Sequence, residues 1–168
     1  MKTIAVTGTP GTGKTILSKK LADKLNFLYL DVNKFISKNK LSEGYDKKRK
    51  TKIVDIKKLN KFLINEIKKI KSIKKYRGVI IDSHLSHHLP KKYIDFCIVT
   101  KCNLKELSRR LKKKKFHKAK IQENLQAEIF DICHHEALDR KHKVFVVDTT
   151  KDFNMNRLYK IIMQKLSL

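Results

Sequence analysis

Near the amino terminus, Gly8-Thr9-Pro10-Gly11-Thr12-Gly13-Lys14-Thr15 matches the spacing G-x-x-x-x-G-K-[ST], the feature that most restricts how this chain can fold. The pattern works only where a strand ends and a helix begins, because it aims consecutive backbone N–H groups at a polyphosphate. Both halves of that context are present. Lys2–Thr7 reads as a short buried strand, and Leu17, Leu21 and Leu25 recur on one face of a helix predicted from about Lys14 to Leu25. The glycines Gly8, Gly11 and Gly13 let the backbone curl, and the helix N-terminus adds partial positive charge. In such a loop Lys14 reaches the β- and γ-phosphates and Thr15 offers its hydroxyl to Mg²⁺, so ATP and magnesium are the expected ligands.

The rest of the chain alternates strands with helices. Phe27 to Leu30 is a second short strand, and Asp31 after it is placed to cap a helix through Phe35 and Ile36. Gly44 and the basic cluster Lys47 to Lys50 read as a loop. From Asp55 to about Lys75, Ile56, Leu59, Leu63, Ile67 and Ile70 form the apolar stripe of a long helix with lysines opposite. Val79 to Asp82 and Ile94 to Thr100 are apolar runs too short for helices and rich in branched residues, as in buried parallel strands. A helix from Asn103 to about Lys115, a basic linker, a helical stretch from Lys118 to Arg140, a strand at Val144 to Asp148 and a helix from about Phe153 complete the reading. The expected fold is therefore a three-layer α/β P-loop architecture with a parallel five-stranded sheet, and 168 residues suit a single domain.

Val79-Ile80-Ile81-Asp82-Ser83-His84 ends an apolar strand in a carboxylate at the carboxyl edge of the sheet, beside the phosphate loop. Asp82 fits the role of holding Mg²⁺, directly or through water, and His84 is placed to orient an attacking oxygen or relay a proton. His84, His87 and His88 also invite a transition-metal reading. No cysteine or carboxylate stands near them at metal-site spacing, and Mg²⁺ on a phosphate loop already explains polar residues there. His134 and His135 read as ordinary histidines. Arg109 to Lys120 is a basic segment after the fourth strand, where a mobile loop folding over a triphosphate would exclude water and bring positive charge. Arg110 and Lys114 are the candidates there.

The 41 Lys plus Arg against 16 Asp plus Glu give a net charge of +25, and all but six of the cations are lysine. A polyanionic partner such as RNA is one source of such a balance, and a general drift toward lysine is another. Cys97, Cys102 and Cys133 form no CxxC pair, which argues against a disulfide framework. No apolar run approaches the ~20 residues a membrane helix needs. Met1 and Lys2 lead directly into the first strand, so an intracellular location is expected, cytoplasmic or, in a eukaryote, nuclear.

Taken together, Thr7 to Thr15 (TGTPGTGKT), Leu41 to Asp46 (LSEGYD), Val54-Asp55, Gly78 to His84 (GVIIDSH) and Ile121 to Phe130 (IQENLQAEIF) resemble the archaeal and eukaryotic adenylate kinases of the isoenzyme-six type. The resemblance covers nearly the whole chain. It implies a nucleotide-kinase fold, ATP at Gly11, Gly13, Lys14, Thr15 and Ile16, and catalytic roles for Asp82 and His84. It also implies an AMP-binding segment around residues 31–55 and a short lid near 113–123. Members of this family are described as weak adenylate kinases and ATPases that assist small ribosomal subunit maturation on a platform ribosomal protein and nearby rRNA. Two positions depart from the family. Its lid usually carries Arg-Gly where this chain has Lys114-Lys115, and lysine cannot give a planar bidentate clamp. Arg49 is the only arginine between Asp31 and Asp55, leaving Lys34, Lys38 or Lys40 as substitutes on the AMP phosphate. A small-metabolite kinase such as shikimate kinase fits less well, since Asp31-Val32-Asn33 and Asp82-Ser83-His84 replace the Asp-x-Asp and Gly-Gly-Gly of those enzymes.

Overall fold

The computed structural model describes residues 1–47 and 51–166. In chain order the elements are β1 (Lys2–Thr7), α1 (Lys14–Leu25), β2 (Leu28–Asp31), α2 (Val32–Lys38), β3 (Ser42–Asp46), β4 (Thr51–Val54), α3 (Ile56–Ile73), β5 (Gly78–Asp82), β6 (Phe96–Lys101), α4 (Leu104–Lys113), α5 (Lys118–Ile129), α6 (Ile132–Asp139), β7 (Val144–Asp148) and α7 (Met155–Leu166). Two 3₁₀ turns, Ser86–His88 and Lys91–Tyr93, lie between β5 and β6.

Five strands form one sheet in the order β2-β5-β1-β6-β7, and every pairing in it is parallel. Parallel strands need helical crossovers, so both sheet faces are covered and the strands are apolar on both sides. Ile4, Val6, Ile80 and Ile98 face one cluster with Leu17 and Leu21 of α1 and Leu158 and Ile162 of α7. Their neighbours Ala5, Val79, Ile81, Cys97 and Val99 face the other, against α2, α3 and α6. This is the expected three-layer α/β arrangement. Of the stripe on α3, Leu59, Leu63, Ile67 and Ile70 are buried as their spacing predicts and Ile56, at the helix start, is half-buried; truncating Leu63 to alanine would cost about 2–5 kcal/mol. A third, smaller cluster of Cys102, Leu107, Leu111 and Ile121 joins α4 to α5.

Three local expectations change. Residues 42–54, read as a loop around Gly44, contain the antiparallel hairpin β3–β4, with a register shift between Ser42 and Gly44. Most of its residues are exposed, including Tyr45 and Ile53, so no inside-outside alternation marks it in the sequence. Lys48, Arg49 and Lys50 lie outside the described residues. The helical stretch 118–140 is two helices, broken where Asp131 turns left-handed at φ 52. Aspartate tolerates that region better than most side chains, and its carboxylate is held by Lys101 Nζ at 2.6 Å and His134 Nδ1 at 2.9 Å. Finally, Ile94 and Asp95 precede β6 rather than belong to it. Ile94 closes a 3₁₀ turn, and Asp95 Oδ2 accepts from the Thr3 amide at 2.8 Å.

Candidate active site

β1 delivers Thr7 to the carboxyl edge of the sheet, where the chain turns at Gly8 with φ 135. A β-carbon at Gly8 would stand 2.5 Å from the Thr100 carbonyl, so only glycine passes there. Gly13, at φ 87, ends the loop and begins α1. Between them Thr12 is pinned from three sides. Its hydroxyl donates to Thr9 O at 2.7 Å and lies 2.7 Å from Thr100 Oγ1, and its carbonyl accepts from Thr149 Oγ1 at 2.5 Å. Lys14 Nζ donates to Thr9 O at 2.9 Å. Burial lowers the Lys14 pKa to about 8, with the Asp82 carboxylate acting against that shift.

β5 carries Asp82 to the same edge, in register with Val6. Thr15 Oγ1 donates to Asp82 Oδ2 at 2.8 Å, and the Tyr29 hydroxyl donates to the same oxygen at 2.9 Å. Burial, followed by the bond and charge of Asp82, pushes the Tyr29 phenol up, so it stays a protonated donor. A hydroxyl and a carboxylate this close are hard oxygen donors of the kind Mg²⁺ takes. His84 follows on an open stretch of the cleft. The surrounding protein and then the Lys14 ammonium lower its pKa to about 4, so it is neutral at pH 7.

Three adjoining cavities meet on these residues. One of about 740 Å³ is lined by Gly11, Gly13, Lys14, Thr15, Ile16 and Arg110, among others. A central cavity of about 520 Å³ shares Gly11, Lys14, Thr15 and Lys114 with it and adds Asp82 and His84. The third, about 570 Å³, shares Asn33, Thr51, His84 and Lys120 with the centre and extends along α2 and the β3–β4 hairpin. Gly8 lines none of the three and acts from beneath, against Thr100. Among the described residues the lysines lining the third cavity are Lys52 and Lys120, whereas Lys34, Lys38 and Lys40 do not line it.

Arg110 sits on α4 rather than on a loop. Its Nε donates to Glu106 at 2.7 Å and its terminal nitrogen to Thr149 O at 2.6 Å, which fixes the guanidinium in the wall of the first cavity. Lys114 is on the short connection between α4 and α5 and faces both the first and the central cavity. Lys115, next to it, adopts φ 56.

Several residues at the site gave no sequence signal of their own. Glu128 on α5 is buried, accepting from Thr9 Oγ1 at 2.5 Å and from the Cys102 amide at 2.9 Å. Tyr29 and Thr149 join the site from β2 and from the end of β7. Nothing in their local spacing marks these residues, although Glu128 falls within IQENLQAEIF.

Comparison with known proteins agrees with this fold. Residues 4–131 match the family profile described as an AAA domain. The chain is 41% identical over 147 residues to a Methanocaldococcus jannaschii protein named "Putative adenylate kinase", spanning 88% of this chain and 76% of that one. It is 33% identical over 150 residues to the Saccharomyces cerevisiae adenylate kinase isoenzyme 6 homolog FAP7, spanning 89% of this chain and 73% of the yeast protein. Among solved structures, shikimate kinase from Acinetobacter baumannii superposes with a TM-score of 0.64 at 16% identity, covering 99% of this chain and 94% of that one, a likeness of fold alone.

Proposed function

Since the chain belongs to the adenylate kinase isoenzyme 6 family, a kinase-like nucleotide-binding group, we propose that it transfers the γ-phosphoryl group of ATP to AMP and hydrolyses ATP as a side reaction. The observation that carries this reading is the chain of three cavities, two flanking a centre that contains Lys14, Thr15, Asp82 and His84. A two-substrate phosphoryl transfer needs a donor pocket, an acceptor pocket and a shared middle with positive charge and metal-binding oxygens. ATP occupies the cavity walled by Ile16 and Arg110, and AMP occupies the one along residues 31–55. The segment 113–123 serves as lid, all within one domain.

In this scheme the loop amides and the α1 N-terminus hold the phosphates, and Lys14 leaves Thr9 O for the β- and γ-oxygens. Thr15 and Asp82 would hold Mg²⁺, which would neutralise charge on the β- and γ-phosphates. An oxygen of the AMP phosphate attacks the γ-phosphorus as the bond to the ADP oxygen breaks. That acceptor is already anionic and needs no general base. A neutral His84 therefore orients it, or accepts a hydrogen bond from water when water attacks instead. Lys114 and Lys120 bring positive charge over the transferring group.

Conversion of ATP plus AMP to ADP in Mg²⁺ buffer, lost in Lys14→Ala, tests the proposal; equal inactivity of both proteins overturns it. A second reading rests on the net charge of +25. On that reading the protein is a ribosome-assembly ATPase acting on rRNA and a platform ribosomal protein, with incidental kinase turnover. Phosphate release indifferent to AMP but stimulated by rRNA would favour it. Among the described residues no helix is long and apolar enough to cross a membrane.

A further inference from the structure

We propose that His87, His88 and Glu136 form a binding site for one zinc-type divalent ion, separate from the oxygen pair Thr15 and Asp82. The two histidines share the 3₁₀ turn after β5, and the break at Asp131 brings Glu136 of α6 across to them, 49 positions after His87. His87 Nε2 lies 2.7 Å and His88 Nε2 3.9 Å from Glu136 Oε2. One ligand atom from each residue falls within a 4.8 Å span, which small side-chain rotations close around an ion with ligands at about 2 Å. None of the three residues lines the donor, central or acceptor cavity. In the chain no cysteine or carboxylate stands near these histidines at metal-site spacing. The fold supplies one.

Two further observations point the same way. With an ion on His87 Nε2, its Nδ1 must carry the proton, and Nδ1 lies 2.6 Å from Thr7 Oγ1 in a buried contact. Thr7 can accept that proton's hydrogen bond and turn its own toward His84 O, 3.4 Å away. This is the outer-shell support that metal-bound histidines ordinarily have. His88 is the second observation. No side chain among the described residues hydrogen-bonds its ring, so the imidazole is uncommitted beside a histidine and a carboxylate, although its Nδ1, buried without a partner, lacks the outer-shell acceptor that His87 has.

Two imidazoles and one carboxylate favour zinc over magnesium or calcium. Glu136 is 43% exposed and His88 16%, leaving an entry path and a side for water as fourth ligand. Arg140, whose charge both rings feel, opposes a cation and weakens the site. Bound metal would tie α6 to the turn that follows Asp82 and His84, so its effect is on stability.

The test uses the full chain, stripped by chelator and kept in excess Mg²⁺, with Zn²⁺ titrated against a chromophoric chelator and Co²⁺ followed by absorption. One equivalent should bind, with four-coordinate nitrogen and oxygen d–d bands and a raised melting temperature. His88→Ala and Glu136→Gln should each weaken binding by more than about tenfold. Arg140→Ala should tighten it, and Asp82→Asn should leave it unchanged. Absence of stoichiometric binding, indifference to His88→Ala and Glu136→Gln, or a sulfur-to-cobalt charge-transfer band would overturn the proposal.

Discussion

Glu128, near the end of α5, accepts a 2.5 Å hydrogen bond from Thr9, in the middle of the phosphate loop. Its other oxygen takes the Cys102 amide. One buried carboxylate thus ties α5 to both the loop and the end of β6. Glu128→Ala would leave a buried hydroxyl and a buried amide unpaired, at about 1–3 kcal/mol each. Urea denaturation should show the loss, and the KM for ATP should rise because Thr9 O is the resting partner of Lys14.

The low pKa of Lys14 has a kinetic signature. A lysine near 8 in the free protein is charged below that value and neutral above it. The kcat/KM for MgATP should therefore fall about tenfold per pH unit above roughly 8, while kcat holds to higher pH because bound phosphate favours the ammonium. His84, lowered to about 4, is already neutral at pH 5 and above. A pH–rate profile should show no acid limb near the ordinary histidine value; one centred on pH 6 to 7 and removed by His84→Ala would contradict this.

Asp82 Oδ2 accepts from both Thr15 and Tyr29, but only Thr15 belongs to the proposed magnesium pair. Tyr29→Phe should change kcat less than about tenfold and move the Mg²⁺ concentration for half activity. Thr15→Val should cost about 100-fold or more, given that such electrostatic contacts act on the transferring group itself. Comparable losses in both variants would place Tyr29 in the chemistry.

Lys115 holds a left-handed conformation, which costs a non-glycine residue about 1–2 kcal/mol. Glycine regains part of that at the expense of a more disordered unfolded chain. Lys115→Gly should thus be neutral or stabilising by up to about 1 kcal/mol in thermal unfolding. Combined with Lys114→Arg it should raise kcat, because a planar guanidinium can clamp two phosphoryl oxygens.

If the net charge of +25 serves RNA binding, affinity for an rRNA fragment should fall by about 10³ to 10⁵ between roughly 50 and 200 mM salt. Filter binding across that range is sufficient. A flat profile would assign the charge to composition.

What could be read in the chain was what is encoded locally. The phosphate loop spans eight neighbours, Asp82 ends an apolar run, and the stripe of α3 repeats at helical spacing, so each was legible without the fold. Glu128, Glu136 and Thr149 act across 119, 49 and 137 positions, and no period records such a meeting. The β3–β4 hairpin escaped because its faces are both wet, and the break at Asp131 because neither glycine nor proline marks it. Arg110 was legible as part of a basic segment but not as a residue of the pocket wall, since its anchors Thr149 and Thr150 lie far along the chain.

Only Phe130 and Asp131 separate α5 from α6, and Lys101 grips the second of them. Such a short joint has no slack. If the segment 113–123 closes over a nucleotide as proposed, the movement has to hinge on that anchor, with the end of β6 as its fulcrum.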